Sequence, residues 1–124
     1  MKKDEDNLIL AKSKAFALRI IRLYKHLCDE KKEFVLSKQV LRSGTSIGAN
    51  AKEASMAQSK KDFEAKLFVS LKEAAETEYW LELALKAEIV SEESVKSLLH
   101  DCGTIRRMLI ASINTTKENL YKSE

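Results

Sequence analysis

The run VLRSGTSIGANAKEA, from Val40 to Ala54, has small residues where an amphipathic helix ordinarily carries large ones. Gly44, Gly48, Ala51 and Ser55 recur at spacings of four, three and four, which is the rhythm of one helix face. A face without bulk lets a second backbone approach closely. Arg42, Ser46, Asn50 and Glu53 follow the same rhythm on another side. A bare face beside a polar stripe that can turn inward describes the packing element of a helical bundle.

The rest of the chain agrees with that reading. It has no proline and only three glycines, so nothing punctuates it into strands and tight turns. Hydrophobic residues make up 44% and charged residues 33%, the usage of long helices with one wet face. With 124 residues it is expected to form one domain, 1–124, with a core that needs neither disulfide nor metal. The expected fold is all-α, an up-down-up-down antiparallel four-helix bundle.

Periodicity places the helices at about 7–28, 37–58, 59–88 and 91–117. In the first, Ile9, Phe16, Ile20, Leu23 and Leu27 share a narrow arc, with Asp6 or Asn7 as cap. Phe34, Val35 and Leu36 are too apolar for a wet loop and are expected to plug the bundle end, with Ser37 capping the second helix. Ser59 and Asp62 have capping-box spacing ahead of a third helix whose apolar residues Phe68, Tyr79, Trp80 and Leu83 fall outside a single stripe. More than one side of that helix therefore needs cover. Ser91 caps the fourth, which carries Val95, Leu98, Cys102, Ile105, Leu109 and Ile113 on one face and frays from about Lys117.

An antiparallel turn near Gln58 brings together residues whose numbers sum to about 119. Glu53 then meets Lys66, Ser46 meets Glu73, and Arg42 meets Thr77 with Glu76 beside it. Facing stripes of matched charge (Arg42, Ser46, Asn50 and Glu53 against Lys66, Glu73 and Glu76) predict a partly buried network that sets register.

It is at these motifs that the chain resembles a known family. QVLRSGTSIGANAKEA, SKKDFEAKL and LKEAAETEYWLEL, together with FALRIIRLYKHL near the start, are similar to bacterial four-helix-bundle proteins encoded within intervening sequences of 23S ribosomal RNA genes. Relatives of that family include the accessory protein of diversity-generating retroelements. The resemblance implies a compact bundle assembled as a ring, with a pentamer the expected form. From the retroelement relatives it implies nucleic-acid binding and association with a reverse transcriptase. It implies no settled molecular function, and the ribosomal label follows gene location.

Enzyme chemistry finds no foothold in the residues. Gly44 to Gly48 lacks the spacing of a phosphate loop and lies inside a helix. No Ser, His and Asp set is evident. His26 and His100 sum to 126 and would share a level on the first and fourth helices, but two imidazoles without a carboxylate or thiolate make a poor metal site. Glu73 and Glu76, close to Arg42 and Lys66, read as ion-pair partners in preference to an acid and base. No catalytic residue, metal or cofactor is expected. Cys28 and Cys102 have no CxxC spacing and read as buried free thiols, a disulfide being the alternative. With neither a signal peptide nor a membrane-length apolar run, a cytoplasmic location is expected.

Charge distribution leaves two function classes. The formal net charge is only +3, yet Asn7 to Cys28 contains Lys12, Lys14, Arg19, Arg22 and Lys25 and no acid. A nucleic-acid-binding homo-oligomer would use Lys12, Arg19, Arg22, Lys25, Arg106 and Arg107 on phosphates, with Arg106 level with Arg19. A protein-interaction scaffold would use the same face only for solvation.

Overall fold

The computed structural model describes residues 3–123, and its regular elements are four α-helices: α1 Lys3–Asp29, α2 Leu36–Ala54, α3 Lys60–Lys86 and α4 Glu92–Ser123. Contacts run α1 to α2, α2 to α3, α3 to α4 and α4 back to α1, with none across the diagonals among the described residues. The short connections return each helix beside its predecessor, and the result is an antiparallel four-helix bundle.

The predicted stripes form the core. Phe16, Ile20 and Leu27 of α1, Val40 and Ile47 of α2, Leu81 of α3, and Val95, Ile105 and Leu109 of α4 are all essentially inaccessible to solvent. Burying a side chain of this size contributes about 1.5–3 kcal/mol.

The bare face of α2 lies against α1. An added Cβ at Gly44 would sit 2.8 Å from Cγ1 and Cγ2 of Ile20, inside any real carbon contact. At Gly48 the nearest atom is Ser13 Oγ at 3.2 Å. Ala51 is buried on the same face. Toward α3, the buried Ser70 hydroxyl donates to the Ile47 carbonyl at 2.7 Å. Toward α4, α3 offers the Ala74 carbonyl, which accepts from Cys102 Sγ at 3.4 Å. Small polar side chains that reach a neighbouring helix's backbone need short interaxial distances, and the small residues supply them.

Several boundaries differ from the periodic reading. Helix α1 begins at Lys3, so Asp6 is no cap: it lies within the helix with its side chain buried. Helix α2 starts one residue before Ser37, and Glu33 caps it. That carboxylate accepts from the backbone N–H of Val35, Leu36 and Ser37 at 3.1, 3.0 and 2.7 Å, which holds Glu33 below its ordinary pKa against the opposing effect of burial. Phe34 and Val35 do not plug the bundle end, being 51% and 77% exposed, because the turn points them outward. Helix α2 stops at Ala54, not near Gln58, where Ser55 to Ala57 fold back through tight backbone bonds. Ser59 caps α3 as its spacing predicts, accepting from Asp62 N–H at 3.1 Å. Helix α3 ends in a Schellman turn: Ile89 N–H reaches the Ala84 carbonyl and Glu88 takes a positive φ of 60° without glycine. Helix α4 continues past Lys117 to Ser123.

The two α2 glycines should respond differently to a methyl group. Gly44→Ala must displace Ile20 in a packed seam and should cost about 1–3 kcal/mol in urea unfolding. Gly48→Ala meets Ser13 less closely, with Oγ at 3.2 Å and the main-chain carbon at an ordinary 3.5 Å, and mid-helix Ala is favoured over Gly by about 0.5–1 kcal/mol, so its midpoint should lie near that of the parent. Equal losses in both variants would show that the seam at Gly44 is not specially tight.

Candidate nucleic-acid interface

The basic residues of α1 spread over its outer side because the inner arc is occupied by the apolar stripe. Lys12, Arg22 and Lys25 are exposed, and no ion pair engages them among the described residues. Arg19 differs. Its guanidinium bonds to Asp101 at 2.5 Å and to Ser97 Oγ at 2.9 Å, both on α4. Asp101 thus orients Arg19 and cancels its charge.

Between these helices runs a cleft of about 270 Å³ lined by Lys12 and Arg19 of α1 and His100, Asp101 and Thr104 of α4, with Phe16 and Ile105 beneath. Arg107 borders it through Thr104, whose hydroxyl accepts from Nη2 at 3.4 Å. Arg106 is not part of it. Neighbouring positions on a helix diverge by about 100°, and Arg106 turns to α3, where Nε donates to Glu78 at 2.9 Å. The pairing of Arg19 with Asp101 also corrects the α1–α4 register: the numbers sum to 120, as Asp6 and Ser112 sum to 118. Arg106 is therefore not level with Arg19, nor His26 with His100. His100 instead joins Lys12 and Arg19, a placement that only the register reveals.

The α2–α3 network pairs the charges that the antiparallel sum brings together. Arg42 bonds to Glu73 at 3.2 Å and to Glu76, whose carboxylate also accepts from Trp80 Nε1 at 2.9 Å. Lys66 meets Glu53 at 3.4 Å. Of the uncharged polar residues along these stripes, Ser70 crosses the gap to the Ile47 carbonyl, and Ser46, Asn50 and Thr77 do not. Ser46 Oγ donates to the Arg42 carbonyl, Asn50 Nδ2 to the Ser46 carbonyl, and Thr77 Oγ1 to the Glu73 carbonyl, each within its own helix. With the Arg42 side chain 49% exposed, the network lies at the bundle's rim, where ion pairs contribute little.

Both cysteines are free. Cys102 is buried and Cys28 half-buried. Burial pushes the Cys102 thiol up to about 12, so it remains protonated and inert at neutral pH. Among the described residues no group of three or more His, Cys, Asp or Glu side chains converges on a metal-sized site.

One titratable group is buried at the bundle end. Asp6 is only 8% exposed and accepts from Ser112 Oγ at 3.3 Å on Oδ1. Burial raises its pKa above the ordinary 3.8, the serine hydroxyl opposes this, and Glu5 adds to it. The folded chain therefore binds the proton more readily than the unfolded one, and stability falls as pH rises from 3.8 through the raised value. Asp6→Asn should accordingly raise the melting temperature at pH 7, with the gain vanishing once pH falls well below 3.8. A loss at neutral pH would mean that the carboxylate is stabilising.

Four antiparallel helices, the first of which carries cations and no acid from Asn7 to Cys28, define a small helical bundle. The chain belongs to the family of 23S rRNA-intervening sequence proteins, whose model matches residues 5–111. It is also similar to a protein of unknown function from the S23 ribosomal protein family of Bacteroides thetaiotaomicron VPI-5482, solved by crystallography at 1.70 Å. The two chains are 54% identical with a TM-score of 0.88, over 89% of this chain and 98% of that one. A search of curated proteins finds no match.

Proposed function

We propose that this chain is a non-enzymatic homo-oligomer that binds the sugar–phosphate backbone of RNA or DNA through the outer face of α1 and its cleft with α4. The observation that carries this is the set of exposed, unneutralised cations Lys12, Arg22 and Lys25 on a helix that has no acid from Asn7 to Cys28. Arg19, oriented by Asp101, and Arg107 beside Thr104 extend the positive edge along the cleft. Phosphate is the matching ligand because α1 and the cleft present cations without exposed aromatics for base stacking.

Oligomerisation rests on apolar surface. Phe68, Tyr79 and Leu83 lie 47%, 55% and 37% exposed on the outer side of α3, and Leu8 and Leu18 are likewise open on α1. Closed symmetry covers such a surface without filament growth, and the family resemblance points to five copies. A ring repeats each weak phosphate contact into a multivalent surface. In this reading the protein is cytoplasmic, and its partners are its own copies and nucleic acid. Among the described residues no helix is long and apolar enough to cross a membrane.

The alternative is a protein-interaction scaffold, with a reverse-transcriptase-like protein as one kind of partner. The pairing of Arg19 with Asp101 and Arg106 with Glu78 favours it, since two of the six basic residues are already neutralised.

Mass photometry at micromolar concentration should show about five times the 14.1 kDa chain mass, and a monomer would overturn the oligomer. Fluorescence anisotropy with labelled RNA should give an affinity that falls steeply with salt. Lys12→Ala, Arg22→Ala and Lys25→Ala should each lower the logarithmic salt slope by about 1 per lost phosphate contact. Absence of binding at low salt would remove the nucleic-acid reading and leave the scaffold.

A further inference from the structure

At the end of the bundle where α1 begins and α4 ends, a cavity of about 330 Å³ opens between Asp6, the α2–α3 connection, Phe63 of α3 and the Ser112–Thr116 turn of α4. It shares no lining residue with the α1–α4 cleft. Its volume lies at the lower end of the range for small-molecule sites.

The hydroxyls around Asp6 are mostly acceptors toward the cavity. A hydroxyl carries one proton, and four of those lining the cavity have already placed it on the protein. Ser112 Oγ donates to Asp6 Oδ1 at 3.3 Å and Thr116 Oγ1 to the Ser112 carbonyl at 2.9 Å. Thr115 Oγ1 donates to the Ala111 carbonyl at 3.0 Å and Ser55 Oγ to the Lys52 carbonyl at 2.6 Å. These four hydroxyls offer a ligand lone pairs, while Gln58, Ser59, Lys60 and Asn119 in the same lining carry groups that can donate. The deepest charged group is the Asp6 carboxylate, 8% exposed, for which a serine hydroxyl is the hydrogen-bond donor seen among the described residues. Lys60 lines the cavity but makes no ion pair with Asp6, and of the nearby charges the chain's amino terminus favours ionisation of Asp6 while Glu5 opposes it. Phe63 and Ala54 supply an apolar patch.

The complement of Asp6 and the two hydroxyls of Ser112 and Thr116 is a compact cation that donates. A hard metal ion needs more anionic oxygen than one buried carboxylate provides. A primary ammonium has three donors, and Asp6, Ser112 Oγ and Thr116 Oγ1 are three acceptors. A short carbon chain attached to it would lie on the Phe63 ring, whose face also attracts cations. We infer that this cavity binds a small primary organic ammonium, with Asp6 as its counter-ion, Ser112 and Thr116 as acceptors and Phe63 as the wall for its apolar part. The buried carboxylate that costs the free protein stability at neutral pH then gains a partner on binding.

The test uses n-butylammonium chloride as probe on the full chain at pH 7, followed by amide correlation spectra. Saturable shifts are expected for residues around Asp6, Phe63, Ser112 and Thr116, and none for n-butanol at the same concentration. Asp6→Asn, which keeps the side-chain shape, should weaken binding by at least about tenfold, as expected for loss of a charged hydrogen bond. Thr116→Val should weaken it while melting temperature and spectral dispersion report an intact fold. The inference is overturned by the absence of saturable shifts, by equal shifts with n-butanol, or by undiminished binding in a folded Asp6→Asn chain. None of these outcomes bears on RNA affinity, because the cleft and the cavity have separate walls.

Discussion

The close approach of α2 to its neighbours is the constraint on which the rest of the bundle depends. Gly44 leaves no room for even a methyl group beside Ile20, and on its other side α2 brings the Ile47 carbonyl within reach of Ser70. Helices at such distances interlock through backbone and short side chains, so the register of α2 against α1 and α3 has little freedom. Once that register is set, the longer side chains of α3 and α4 fill what is left. A bulkier face on α2 would separate it from its neighbours, and the cross-helix bond from Ser70 to the Ile47 main-chain carbonyl would lose its acceptor.

Charge is arranged around this core in two ways. Along the α2–α3 rim, Arg42 and Lys66 meet Glu73, Glu76 and Glu53, and the ions satisfy one another. On α1 the cations have few such partners, because the adjoining face of α4 offers Asp101 to Arg19 and little else. The same chain therefore carries a neutralised edge on α2 and α3 and a positive edge on α1. Its acidic residues are not scarce; they are committed elsewhere, at the helix ends and on α3. Glu33 illustrates the commitment, spending its carboxylate on three backbone N–H groups at the start of α2.

Buried polar groups mark where stability and other demands diverge. Ser13, Ser43, Ser70 and Thr77 lie in the core with their hydroxyls bonded to carbonyls, so they cost little and allow tight packing. Asp6 is of another kind. It is a carboxylate placed under cover with a serine hydroxyl as its donor, in the wall of a cavity at the bundle end. An apolar residue at that position would pack more cheaply, which is why the bundle end, and not the network on α2 and α3, holds the least explained chemistry of the molecule.

The sequence by itself determined the four helices, their buried stripes, the small face of α2 and the α2–α3 ion pairs. These follow from periodicity and from a short antiparallel turn, both local properties of the chain. It also marked Ser59 as a cap and α1 as the basic helix. Tertiary structure decided what no local pattern encodes. The register of α1 against α4 depends on how the whole bundle closes, and it moved His100 beside Lys12 and Arg19 while sending Arg106 to Glu78. Asp6 has the sequence of a helix cap, yet α1 extends to Lys3 and turns its carboxylate against Ser112, more than a hundred positions away. Helix ends and long-range levels are set by small free-energy differences summed over the packed molecule, whereas the apolar stripes are set by the large and local term of burial.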